Sequence, residues 1–242
     1  MSDTLGVLMN QVVSGPEEAR TLGDEYITAV SKIVNSHVRN EAAGAAIFDE
    51  PSIALAPTPR EKWLACRMAM EEYGHHLKFN KLAAELGVED PHARSPLSVF
   101  EYEVGSWTEY VMTKAIVDLA EVVLMEDLSH CSYLPLRKLC RSLMPEERFH
   151  VGFGTTTARQ LAADPAKRDD VRRAAHELIT MTLPFFGRSD SRNNEVFRRW
   201  GIKRMTNDEC RTEFVRRTRA LLEDELGLDH PEVDVRWHGT SS

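Results

Sequence analysis

Residues 58–87 read TPREKWLACRMAMEEYGHHLKFNKLAAELG, and this stretch decides the fold. It opens on a capping box, with Thr58 at the N-cap, proline at the first helical position and Glu61 reaching back. Gly87 supplies a natural stop. Between them Ala65, Met68, Glu72, His75, Phe79, Leu82 and Leu86 recur at alternating steps of three and four, the seam of an amphipathic helix. Residues 133–163 repeat the pattern through Leu136, Cys140, Leu143, Glu147, His150 and Gly154, with Pro145 expected to bend the helix locally. Working outward, the same periodicity predicts helices over about 17–48, ending before Pro51, and over about 96–129 and 168–185. A last helix starts at a second capping box, Thr206-Asn207-Asp208-Glu209, and ends at Gly227. Residues 187–194 read as a loop, and the tail after Leu228 as polar and irregular. Helices of about thirty residues are roughly 45 Å long and, joined by short connections, belong in a bundle. The expectation is an all-α four-helix bundle with additional C-terminal helices. It forms one domain, its bundle core at about 17–163 and its C-terminal helices and tail at about 168–242.

Composition narrows the function. Hydrophobic residues make up 42% and charged residues 28% of 242, as in a globular protein. Thirty Lys and Arg against 38 Asp and Glu leave a formal charge of −8, without the basic footprint of a nucleic-acid binder. No uncharged apolar run approaches the ~18 residues of a membrane span. The opening MSDTLGVLMNQ lacks a cationic patch followed by an apolar core, which argues against a secretory signal. Cys66, Cys131, Cys140 and Cys210 show no CxxC spacing, so a reduced, cytoplasmic setting is expected.

Two Glu-x-x-His steps carry the chemistry: Glu72 with His75 and Glu147 with His150. At i, i+3 a carboxylate and an imidazole point to the same side of a helix and can meet one metal. One such step arises readily by chance. Both, however, lie on apolar seams, where charge is costly unless paired or metal-bound. Both seams also face an acid on the preceding helix. That acid is Glu41 in the seam Ile27, Val30, Val34, His37, Glu41, Gly44, and Asp118 in the seam Trp107, Val111, Lys114, Asp118, Val122, Met125. A bundle folding back on itself brings Glu41 level with Glu72 and Asp118 level with Glu147. Four carboxylates and two imidazoles make the inward-facing set of a di-iron carboxylate bundle, suited to Fe or Mn rather than structural zinc. Periodicity leaves Asp118 a rival in Glu121. His76 reads as a residue behind the ligands or at the surface, and His37 as a partner of Glu41 or a satisfied core histidine. Glu71 should face solvent. His92, His130, His176, His230 and His238 show no ligand spacing, and Met68, Met70, Met125 and Met181 read as core filler.

The segments MEEYGHHLKFNKLAAELG, PEERFHVGFG, CSYLPLRKLC and WGIKRMTNDECRTEFV resemble the catalytic A subunits of ring-1,2-phenylacetyl-CoA epoxidases. The resemblance runs from the first helix to Arg236-Trp237. It implies a ferritin-like fold, a non-haem di-iron centre with Glu41 and Asp118 (rather than Glu121) among its ligands, and epoxidation of the ring of an aryl-CoA thioester with O2. It also implies a structural paralogue and a separate flavin and iron–sulfur reductase using NADPH, in an oligomer. The family pattern has lysine where Met68 stands and glycine where His76 stands; Pro145 is unusual and the tail is shorter. These departures bear on the substrate and partners more than on the metal.

The sequence has no GxGxxG after a strand, no phosphate-cradling loop and no iron–sulfur spacing, so electrons must enter through another protein. Lys203 and Arg204 are the candidates for the CoA phosphates, against the alternative of a solvated turn. Glu41, Glu72, Asp118 and Glu147 are the candidate catalytic carboxylates. Two other readings share the fold: an iron oxidase, or an oxygenase on a non-CoA substrate, and a non-catalytic structural partner. The extra chain at 187–242 argues against the simple iron oxidase, and the complete ligand set against the structural partner.

Overall fold

The computed structural model describes residues 12–87 and 98–239. Its regular structure is helical: α1 Pro16–Thr21, α2 Asp24–Gly44, α3 Glu50–Leu55, α4 Pro59–Leu86, α5 Trp107–Leu128, α6 Leu134–Ala163, α7 Arg168–Thr182, α8 Arg192–Arg199 and α9 Asn207–Arg219. Among the described residues β pairing is confined to an isolated bridge between Val13 and Tyr133. The all-α bundle expected from the seams, ferritin-like as the resemblance implies, is the observed architecture: α2 packs on α4, α5 on α6, and the two pairs close on each other.

The capping signals act where the sequence places them. Thr58 Oγ1 accepts from Glu61 N, while the Glu61 carboxylate takes the Thr58 hydroxyl rather than the backbone amide. The reciprocal box forms in full at Thr206, whose amide donates to Glu209 and whose hydroxyl accepts from the Glu209 amide. Gly87 and Gly227 close their helices in the left-handed conformation.

Several boundaries differ from the expectation. The first long helix does not stop before Pro51. It passes through a π-turn, Ala45–Asp49, and continues to Leu55. The third long helix begins at Trp107, where Ser106 Oγ accepts from Glu109 N, after a 3-10 turn at Ser98–Glu101; Pro96 and His92 lie outside the described residues. Residues 192–199 form α8 within a stretch read partly as loop; the last helix passes from α9 through a π-turn, Ala220–Leu226, and ends at Gly227 as expected. α6 runs unbroken through Pro145, which is exposed beside an exposed Arg141, so the carbonyl freed by the missing amide lies on the solvent side.

α5 is apolar around nearly its whole circumference and is buried accordingly, under α6, α7 and α9. The core falls into two apolar clusters. One gathers Phe48, Met68, Val111, Ala115 and Ala158; the other gathers Val30, Val34, Phe79, Val122, Met125 and Leu143. On each of the four long helices the charged seam residues lie between these clusters. The irregular tail is anchored by buried Arg211, which donates to the carbonyls of Val235 and Gly187 and to Ser189 Oγ.

Candidate metal centre

Four helices deliver six side chains to the layer between the two apolar clusters: Glu41 from α2, Glu72 and His75 from α4, Asp118 from α5, and Glu147 and His150 from α6. All six are buried. The donor atoms form two groups within 4.8 Å: Glu41, Glu72, His75 and Glu147, and Glu72, Asp118 and His150. Glu72 belongs to both. His75 Nδ1 lies 2.8 Å from Glu147 Oε1, 3.6 Å from Glu41 Oε2 and 3.7 Å from Glu72 Oε2. His150 Nδ1 lies 3.1 Å from Glu72 Oε1 and 3.6 Å from Asp118 Oδ2.

Each imidazole is braced from behind. His75 Nε2 meets Glu146 Oε2 at 2.8 Å, and His150 Nε2 meets Glu71 Oε2 at 2.9 Å. The glutamate preceding each ligand glutamate therefore crosses to the histidine of the other helix. Such carboxylate–imidazole pairing fixes which nitrogen faces the centre and raises its basicity as a ligand. Glu71 thus does not face solvent, contrary to the expectation from its own helix; it lies half-buried between Arg67 and His150. The signal was the doubled Glu-Glu at 71–72 and again at 146–147.

Burial and mutual repulsion act on the charges of this layer. Burial drives the Glu41 carboxyl well above its ordinary pKa against the His75 contact, and Glu121, Glu72 and Glu147 push it the same way. Burial likewise raises Asp118 and Glu147. Glu72 is the exception. Although burial opposes it, Lys114 and then His150 hold it well below the usual range. Glu41 Oε1, His75 Nδ1, Asp118 Oδ2, Glu147 Oε1 and His150 Nδ1 are inaccessible atoms without hydrogen-bond partners. Orphaned oxygens and imidazole nitrogens turned on one another fit hard divalent cations.

The sequence profile of the phenylacetic acid catabolic protein family matches residues 9–242. The chain belongs to this family. It is also 29% identical over 225 residues to the A subunit of the 1,2-phenylacetyl-CoA epoxidase of Escherichia coli (strain K12), covering 88% of this chain and 72% of that one.

Within this member of the family, Lys114 is the residue whose role sequence reasoning missed, although it stands on the α5 seam. Its buried Nζ lies 2.9 Å from Asp49 Oδ1, 3.0 Å from Glu72 Oε1 and 3.2 Å from Asp118 Oδ2. Burial works against this ammonium, yet Asp118, Asp49 and Glu72 hold its pKa well above the ordinary lysine value. Asp49, brought in by the π-turn, also accepts from Tyr110 Oη at 2.8 Å. Tyr110 in turn points toward Met68 Sδ, 4.0 Å away.

The other candidates separate clearly. Asp118 joins Glu72 and His150, whereas Glu121 faces His37, with Oε1 3.0 Å from Nδ1. His37 stacks on Phe79, and His76 Nδ1 meets Val38 O at 2.8 Å, away from the centre. A cavity of about 40 Å³ touches Glu41, Glu72, Asp118 and Glu147. It shares Asn40, Phe100 and Phe185 with a larger one of about 370 Å³, lined also by Lys32, His37, Phe186 and Lys203. Lys203 is buried on that wall, not solvated; Arg204 is exposed, and its amide is held by Asp127. No helix among the described residues is long and apolar enough to cross a membrane.

Proposed function

We propose that this chain is the catalytic component of a multicomponent di-iron monooxygenase that epoxidises, or hydroxylates, the ring of an aromatic acyl-CoA thioester. The observation that carries the reading is the cross-braced pair of Glu-Glu-x-x-His helices closing on Glu41 and Asp118. Glu41, Glu72, His75 and Glu147 would hold one non-haem iron, and Glu72, Asp118 and His150 the other; manganese suits the same donors. Such a pair, when bound, supplies two-electron activation of O2.

The chain's own residues do the rest. Glu71 and Glu146 keep Nδ1 of each histidine turned inward. Lys114 keeps Glu72 ionised, and Asp49 and Tyr110 keep Lys114 in place. Phe100 and Phe185, at the junction of the two cavities, offer an apolar seat for an aromatic ring and exclude water from it. Lys32 and Lys203 line the outer cavity on the side where the CoA phosphates would pass, and Arg204 lies outside it. Electrons come from a partner reductase with flavin and iron–sulfur groups using NADPH, and a structural paralogue completes the oligomer. The relative's description as one subunit of an epoxidase supports a complex.

The test is anaerobic loading with Fe(II), followed by a partner reductase, NADPH, O2 and phenylacetyl-CoA, with detection of the oxygenated thioester. Turnover of a different acyl-CoA alone would keep the mechanism and change the substrate. Dioxygen uptake with Fe(II) and no organic product would favour an iron oxidase. Glu72→Ala and Glu147→Ala are expected to lose bound iron; wild-type iron content in both would remove the centre.

A further inference from the structure

Beside the two donor groups lies a third. His37 on α2, Glu41 one turn later, and Glu121 on α5 bring Nδ1 and two carboxylate oxygens within 4.8 Å of one another. His37 Nδ1 lies 3.0 Å from Glu121 Oε1 and 3.9 Å from Glu41 Oε1. None of these three atoms has a hydrogen-bond partner, and the His37 side chain is only 6% exposed. A buried ring nitrogen facing two carboxylates without hydrogen-bond geometry is an arrangement that a metal ion satisfies.

Two further observations give it direction. Glu41 presents Oε2 toward His75, in the main centre, and Oε1 toward His37. One carboxylate thus looks into both groups and can bridge them. His37 also lines the large cavity, while Glu41 and Glu121 line the small one, with Asn40 common to both. The triad therefore stands at the passage from the outer cavity to the main centre.

We infer that His37, Glu41 and Glu121 form an additional divalent-cation site, an entry station through which Fe(II) or Mn(II) reaches the main centre from the large cavity. Three protein donors, one shared with the four-donor group and one, Glu121, only partly buried, leave coordination positions for water, so the ion is held less completely than in the buried groups and can move on. The two carboxylates neutralise the ion, and handing it over by way of Glu41 requires no separated charge in the interior. This inference rests on the reading of the neighbouring cluster as a two-metal centre.

The experiment is an anaerobic Mn(II) titration of the full chain, following free Mn(II) by electron paramagnetic resonance, for wild type, His37→Gln and Glu121→Gln. Circular dichroism checks the fold of each. Wild type is expected to bind three equivalents, the third more weakly, and both variants two. Glu121, on the partly exposed edge, is the substitution that spares the core if His37→Gln fails to fold. Anomalous diffraction from Mn(II)-soaked crystals should place a peak against His37 Nδ1 and Glu41 Oε1. Wild type that saturates at two equivalents overturns the entry site and leaves the main centre standing. So does a third equivalent that persists in Glu121→Gln. Saturation below two overturns both readings.

Discussion

The two helix pairs of the bundle carry matching motifs on α4 and α6 but oppose them with different partners. In the α2–α4 pair the opposing acid is Glu41, long enough to look in two directions, toward the imidazoles of His75 and His37, while Glu72 opposite it is held by Lys114. In the α5–α6 pair it is Asp118, one methylene shorter, with Lys114 one turn before it serving as an internal cation. Two glycines of the motif-bearing helices differ in the same way, Gly154 on the α6 seam and Gly74 off the α4 seam. A Cβ on Gly154 of α6 would lie 2.4 Å from the Ala115 backbone nitrogen of α5, whereas one on Gly74 of α4 would meet nothing within 4 Å. A near-symmetric ligand set is thus built on an asymmetric frame, with an ammonium beside Asp118 and imidazoles alone beside Glu41.

Lys114→Met breaks that asymmetry most directly. It leaves Asp49, Glu72 and Asp118 without their ammonium, and removing one partner of a buried ion pair costs about 3–5 kcal/mol. Urea unfolding of the metal-free chain should register this loss, and saturating Mn(II) should recover more stability in the variant than in wild type. Equal losses with and without metal would mean that Lys114 does not stand in for a cation. Next comes close packing. Gly154→Ala should destabilise by about 1–3 kcal/mol, because backbone rather than a flexible side chain blocks the methyl. Gly74→Ala should stabilise by roughly 0.5–1 kcal/mol by lowering the entropy of the unfolded chain.

The back-side braces sharpen the comparison further. Glu71→Gln and Glu146→Gln should each weaken metal binding about 10–100-fold in calorimetric titration. The loss should be larger for Glu71, whose side chain is 16% exposed against 35% for Glu146. The smallest effect lies outside both pairs. Arg216, then Arg217 against some burial, hold Glu213 on α9 down to about 2 from an ordinary 4.5. Its stabilisation is therefore fully present above pH 4.5 and is lost as pH falls toward 2. Screened by solvent, Glu213→Gln should cost about 0.5 kcal/mol at neutral pH and nothing at pH 2, measured by thermal unfolding across pH.

What was legible in the sequence was whatever a single helix encodes. Seam periodicity and the cap residues Thr58, Gly87, Thr206 and Gly227 located the long helices. The two Glu-x-x-His steps singled out α4 and α6. The missing parts depend on pairs of helices. Lys114 could be read as a seam residue, but its three carboxylate partners come from α5 itself, from α4 and from the π-turn. Glu71 sits beside the seam of its own helix and is turned inward only because His150 arrives opposite. Asp118 and Glu121, rivals by periodicity, face different neighbours, His150 and His37. The continuation past Pro51 was invisible because periodicity assumes a constant number of residues per turn.

That π-turn is a change of phase. Along an α-helix, residues eight apart are rotated by about 80° relative to each other. The wider i→i+5 turn at Ala45–Asp49 absorbs most of that rotation, so Asp49 comes round to the azimuth of Glu41. The helix thereby places two acids along one line, at different depths, and the second is the one that Lys114 grips. Removing a single residue between 45 and 49 would shorten the chain by one part in 242. Because seven residues of regular α-helix return to within about 20° of the starting azimuth, that deletion would let the turn close into α-helix with Asp49 kept on its bearing, whereas forcing the full-length segment into α-geometry would swing Asp49 away.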